Sequence, residues 1–143
     1  MDNNDYIVEA SNVRKTYRSN QNVVSALRGI DLQIKRGEMV AVMGPSGCGK
    51  TTLLNCLSGL DTIDGGDVLL EGESIHDMPD RKRTELRRSR MGFVFQSYNL
   101  LPVLTSVQNV ELPLIIGGAP RRQAHDQAKR MLGLVDLGDR LDH

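Results

Sequence analysis

Between Gly44 and Thr51 the chain reads Gly-Pro-Ser-Gly-Cys-Gly-Lys-Thr, which fits the phosphate-loop pattern G-x-x-x-x-G-K-[ST] at every fixed position. An apolar, β-favouring run (Val40-Ala41-Val42-Met43) precedes it and a helical pattern (Leu53, Leu54, Leu57) follows. Strand, loop and helix in that order are the context the pattern requires. Glycines allow the backbone to close around phosphate oxygens because no Cβ blocks the approach. Successive amide N–H groups from Gly44, Ser46, Gly47, Cys48 and Gly49 onward then form an anion nest around the turn at Pro45, which itself has no N–H, and the positive end of the following helix reinforces it. Lys50 brings a full charge to the β- and γ-phosphates, the Thr51 hydroxyl suits Mg²⁺, and Thr52 completes the segment.

The chain has 143 residues, enough for one domain with a real core. Its formal net charge is +0, which gives no global pull toward nucleic acid or anionic lipid. The polar, acidic start Met1-Asp2-Asn3-Asn4-Asp5 does not read as a signal peptide, and no apolar stretch is long enough to span a bilayer. Cys48 and Cys56 match no metal spacing, and a phosphate-loop protein belongs in a reducing compartment, so a disulfide is not expected. Cys48 reads as a small side chain at a variable position of the loop.

Strands are expected at Tyr6–Ala10, Val23–Leu27, Ile30–Ile34, Met39–Met43, Val68–Leu70 and Met91–Phe95. A break is expected at Asp64-Gly65-Gly66-Asp67. Arg81 to Arg90 sets six basic residues against Glu85 alone. Without interleaved aromatics this reads as a solvated or docking helix face rather than a nucleic-acid patch. Thr105 or Ser106 caps a helix through Val107, Val110, Leu112 and Leu114, with Pro113 kinking or ending it. Gly117-Gly118 breaks the pattern, and Pro120 opens a second helix from Arg121 to about Leu134. The order of elements reads as mixed α/β. His76, His125 and His143 read as surface residues.

Four stretches together resemble the nucleotide-binding subunit of ATP-binding-cassette (ABC) transporters: Asn12-Val13-Arg14-Lys15-Thr16-Tyr17, the phosphate loop, Leu57-Ser58-Gly59-Leu60-Asp61, and Val94-Phe95-Gln96-Ser97-Tyr98-Asn99-Leu100-Leu101-Pro102. Asn109–Leu114 and the phrase Arg87–Phe93 are similar to the lipoprotein-releasing and macrolide-export type. The resemblance implies a P-loop NTPase (RecA-like) core with an N-terminal antiparallel β subdomain and the start of a helical subdomain. Its boundaries would be 1–95 for the β subdomain and core, 96–104 for the Q-loop, and 105–143 for part of the helical subdomain. It implies ATP and Mg²⁺ as cofactors, Tyr17 stacking on adenine, and Gln96 reaching the Mg²⁺ beside Thr51 and positioning water. No catalytic residue beyond that role of Gln96 is assigned. The implied partners are membrane-spanning permease subunits and a second nucleotide-binding subunit, with no nucleic acid. The implied location is cytoplasmic, peripheral on the inner face of the cell membrane.

Downstream of Gln96 we find no Leu-Ser-Gly-Gly-Gln signature, no apolar strand ending in Asp (Walker B), no catalytic Glu after it and no switch His. The expectation is therefore an incomplete domain that binds ATP and turns it over poorly or not at all. Other readings are a non-hydrolysing nucleotide-binding or docking module, a soluble ABC-type protein of DNA repair or cell division, and a different P-loop class such as a small-molecule kinase. The kinase reading leaves Tyr17 and the Gln96 segment unexplained.

Overall fold

The computed structural model describes residues 5–19 and 22–143. The polar start Met1–Asn4 lies outside the described residues. The chain divides into two compact units, residues 1–92 and 93–143.

The first unit is built on a four-stranded antiparallel sheet in the order β2-β1-β3-β4. Strand β1 (Tyr6–Ser19) pairs along its length with β2 (Asn22–Lys35), and its first half also pairs with β3 (Gly65–Leu70), which is followed by the short β4 (Glu73–Ser74). The two expected strands Val23–Leu27 and Ile30–Ile34 are one strand, and β3 runs through the glycines where a break was expected.

An irregularity in β1 sets the geometry of everything near the phosphate loop. Ala10 and Val13 are both buried, yet a three-residue separation in a regular strand puts side chains on opposite faces. The ladder slips between these residues on both the β2 and β3 sides, and Asn12 takes a positive φ of 50°. This bulge changes the facing of all later residues, so that Val13, Lys15 and Tyr17 share one face. The Asn12 amide donates to Asp31 Oδ1 at 2.7 Å, which pins the bulge to β2.

Helix α1 (Lys50–Leu57) buries Leu53, Cys56 and Leu57, an i, i+3, i+4 stripe, into a core with Ala10, Val13, Leu27, Val68, Leu70 and Ile75. Leu54, expected on that stripe, is 55% exposed because it sits one residue, about 100° of helical rotation, off it. Truncating Ile75, which is fully buried, to alanine is expected to destabilise this unit by about 2–5 kcal/mol in chemical denaturation.

Helix α2 (Asp80–Arg90) buries no residue, as a solvated helix should. Its charges are largely engaged: Arg83 with Asp80, Arg88 with Glu85, Lys82 with Glu73 and Arg90 with Glu71, while Arg87 donates to the Gly59 carbonyl at 2.7 Å.

The runs Met39–Met43 and Met91–Phe95 correct the sequence expectation, since neither forms a strand. Met39 and Val94 are fully exposed, and the Phe93 and Phe95 rings stack on each other with centroids 5.9 Å apart. Apolar, β-favouring composition marks a segment that fits a sheet, but a strand exists only where a neighbour supplies the hydrogen-bond ladder. Among the described residues no segment pairs with either run.

The second unit packs α3 (Ser106–Ile116) on α4 (Arg121–Leu134), with Val107, Ala128 and Leu132 at the centre and a 3₁₀ turn at Gly138–Arg140. Thr105 is the N-cap in a full capping box: its hydroxyl accepts from the Gln108 amide, and the Gln108 side chain accepts from the Thr105 amide. Pro113 lies inside α3, which continues to Ile116, and Pro120 occupies the N-cap of α4. Thr105→Ala is expected to lower the stability of this unit by about 1 kcal/mol, read from its urea midpoint.

Candidate functional site

The phosphate loop follows the exposed segment after β2 and ends in α1. Gly47 and Gly49 hold φ values of 78° and 96°, left-handed conformations of the kind from which anion nests are built. Gly49 is the N-cap of α1, and a Cβ there would lie 2.7 Å from the Ala26 carbonyl of β2. Only glycine therefore lets the helix start this close to the sheet. The Lys50 ammonium folds back over the loop and donates to the carbonyls of Gly44 (2.9 Å) and Pro45 (2.8 Å), with Cys48 Sγ at 3.7 Å. Gly44 to Cys48 and Thr51 are exposed, so the mouth of the cradle is open. The residues fit a phosphate chain: left-handed glycine turns, a helix N-terminus without an acidic residue in its first turn, and the Lys50 ammonium over the loop. Cys48 is a free, exposed thiol, and Cys56 is free and buried, with burial pushing its pKa up.

Tyr17 stands beside this loop through the bulge in β1. Its hydroxyl donates to Asp61 Oδ2 at 2.6 Å, and the residue is 42% exposed. The bond to Asp61 raises the pKa of the phenol, partly opposed by the neighbouring Thr52 of α1. Asp61 is held in turn by Lys15, whose buried ammonium donates to Asp61 Oδ1 (2.8 Å), the Thr62 carbonyl (2.7 Å) and Thr62 Oγ1 (3.1 Å). Burial alone lowers the Lys15 pKa, but the hydrogen bond and charge of Asp61 outweigh it and hold the lysine above its ordinary value. Asp61 is held below the usual aspartate value by its bonds to Lys15 and Tyr17.

That depression fixes the sign of an acid effect. Asp61 contributes stability that is fully present above its ordinary pKa of 3.8 and lost as pH falls through the lowered folded value. Asp61→Asn is expected to flatten this acid limb in urea unfolding between pH 5 and pH 3. An unchanged limb would show that Asp61 has the same proton affinity folded and unfolded.

The first unit thus brings together Tyr17 and the loop from Gly44 to Thr52. Gln96 belongs to the second unit, exposed in a bend. The segment after Gln96 is tied to α3 by Asn109, whose side chain accepts from the Leu101 amide and donates to the carbonyls of Leu101, Leu104 and Thr105. Sequence reasoning gave no role to Lys15, Asp61 or Thr62. The available signal was a lysine two residues before Tyr17 on the same strand face, because a buried lysine requires a partner. His76 is half-buried rather than a surface residue, with Nε2 3.0 Å from the Cys56 carbonyl, whereas the His125 side chain is 43% exposed, with Nδ1 3.0 Å from Glu111. His143 is exposed. No cluster of metal-ligating side chains, and no helix long and apolar enough to cross a membrane, occurs among the described residues.

Comparison with known proteins places this geometry. A family model described as ABC transporter matches residues 27–143. An uncharacterized ABC transporter ATP-binding protein of Thermotoga maritima is 48% identical over 137 residues, covering 96% of this chain and 58% of that protein. The lipoprotein-releasing system ATP-binding protein LolD of Porphyromonas gingivalis is 43% identical, covering 96% of this chain and 61% of its own length. The macrolide export ATP-binding/permease protein MacB of Brucella abortus is 44% identical, with 96% of this chain aligned to 21% of it. A dimeric structure of the ATP-binding cassette MJ0796 in a post-hydrolysis state, bound to ADP and Pi, superposes with a TM-score of 0.86 at 39% identity, covering 95% of this chain and 60% of that one. The chain thus spans about three-fifths of the length of the Thermotoga maritima and Porphyromonas gingivalis proteins. On its phosphate loop, its sequence and its backbone, this chain belongs to the ABC transporter ATP-binding family.

Proposed function

We propose that this chain holds Mg-ATP in the cradle from Gly44 to Thr52 and serves as the ATP-binding part of an ABC transporter. The observation that supports this most is the loop geometry, with glycine turns at Gly47 and Gly49 and the Lys50 ammonium resting on the carbonyls of Gly44 and Pro45. Those carbonyl bonds are exchangeable: phosphate oxygens arriving in the nest offer the ammonium a stronger, charge-assisted partner. Thr51 is the hydroxyl available to Mg²⁺ on the loop, and Gln96 carries an amide suited to a metal ion or to water. Tyr17 offers its ring to the adenine.

In this reading residues 1–95 form the β subdomain and nucleotide core, 96–104 the Q-loop, and 105–143 part of a helical subdomain. Binding and hydrolysis would be coupled to transport or extraction by separate membrane subunits. A second nucleotide-binding subunit would be the other partner, and the chain would lie against the inner face of the membrane. The relatives named for lipoprotein release and macrolide export support the direction of extraction or export.

Titration calorimetry with Mg-ATP tests the core of the proposal. The expected result is saturable binding with a thermal upshift, and little or no phosphate release, since residues 1–143 contain no Leu-Ser-Gly-Gly-Gln signature. No heat and no upshift in a folded sample would overturn the nucleotide reading. Robust turnover would overturn the view that these residues bind without hydrolysing.

A further inference from the structure

We propose that Asp61 is a positioning residue for the nucleotide base: anchored by Lys15, it locks the Tyr17 ring in place through the phenol and so presents a preorganised stacking surface beside the phosphate loop. The inference rests on the nucleotide reading above and adds to it how the ring is held.

Tyr17 lies on the part of β1 beyond its pairing with β3, which ends at Arg14 opposite Gly65. There, one edge of the strand has no ladder partner among the described residues. An aromatic residue 42% exposed at such a position would ordinarily sample several rotamers and lose that freedom on binding a base. Here the hydroxyl is tethered to Asp61 Oδ2 at 2.6 Å. The carboxylate cannot follow a moving ring, because its other oxygen accepts from Lys15 Nζ (2.8 Å) and from the Thr62 amide (2.7 Å).

Lys15 has no proton left for a ligand. Its three N–H groups match the three acceptors within reach, Asp61 Oδ1, the Thr62 carbonyl and Thr62 Oγ1. It therefore acts as an internal anchor and not as a phosphate ligand. Its ammonium also sits 5.2 Å from the centroid of the Tyr17 ring, a cation–π contact that restrains the ring from the buried side. Lysine, carboxylate and phenol thus form one chain running from the buried face of β1 to the ring beside α1.

The test separates base from phosphate recognition. Mg-ATP and Mg-tripolyphosphate are titrated into the full chain and into Tyr17→Phe, Asp61→Asn and Tyr17→Ala, with thermal melting to verify folding. Tyr17→Phe keeps the ring and removes only the tether, so it serves even where Asp61→Asn weakens the fold. Both Tyr17→Phe and Asp61→Asn are expected to weaken Mg-ATP about three- to tenfold, the cost of re-immobilising one side chain, and to leave tripolyphosphate within about twofold. Unchanged Mg-ATP affinity in both variants, with Tyr17→Ala still impaired, overturns the positioning role and leaves the nucleotide reading intact. A parallel loss for ATP and tripolyphosphate also overturns it, because a scaffold defect near α1 moves both. Absence of Mg-ATP binding by the unaltered chain removes the nucleotide reading itself, and this inference with it.

Discussion

Replacing Lys50 by alanine is expected to lower Mg-ATP affinity by about 100-fold. The ammonium is the one full positive charge that the loop places over its own mouth, where it now bridges the Gly44 and Pro45 carbonyls. Hydrogen bonds to charged partners contribute about 1.5–3 kcal/mol each, and about 1.4 kcal/mol is a factor of ten in affinity. Loss of one cation facing two phosphate groups therefore lies near the upper end of that range. Calorimetry reads this directly. Thermal melting reads it independently: ligand at about 100 times the original Kd adds about 2.7 kcal/mol to the native state and would add only a few tenths after the substitution. The fold itself should survive, because the ammonium bonds to the Gly44 and Pro45 carbonyls and Cys48 Sγ of the exposed loop and not to the core. Equal affinity in the two proteins would mean that ATP binds elsewhere on the chain.

Gly66→Ala is expected to destabilise the first unit by about 2–4 kcal/mol, among the larger single effects for a one-carbon change. Gly66 has a φ of 83°, and a Cβ there would lie 2.3 Å from the Asn12 carbonyl oxygen and 2.4 Å from that of Ser11. These are backbone atoms of the β1 bulge, which cannot swing aside as a side chain would. Relieving the clash means opening β3 from β1 or undoing the bulge. Because the bulge turns Lys15 and Tyr17 toward α1, the variant should also bind Mg-ATP more weakly than wild type at temperatures where it remains folded. Urea denaturation together with calorimetry would show both effects. A stability within about 0.5 kcal/mol of wild type would mean that the close approach at Gly66 relaxes freely.

The two long runs that failed as strands show what composition reports and what it omits. Met39–Met43 and Met91–Phe95 carry apolar, β-branched or aromatic residues, and that signal concerns side chains suited to a sheet. Whether a ladder forms depends on a partner strand, which is not a property of the run itself. Helices α3 and α4 were legible because their cues are local: Thr105 or Ser106 as a cap, Gly117-Gly118 after the last turn, and Pro120 before Arg121. The cradle was legible for the same reason, since its amides, its cation and its helix start occupy one continuous segment.

Phosphate-binding chemistry, the helical hairpin at the end of the chain and the family all follow from residues close together along the chain, because turns, caps and nests are built from neighbours. The Asn12 bulge, the resulting direction of Tyr17, and the Lys15–Asp61–Tyr17 chain exist only once β1, β3 and α1 have packed. They depend on residues more than 40 positions apart, such as Lys15 and Asp61, and one inserted residue in a strand reverses every later side chain without leaving a mark in local composition.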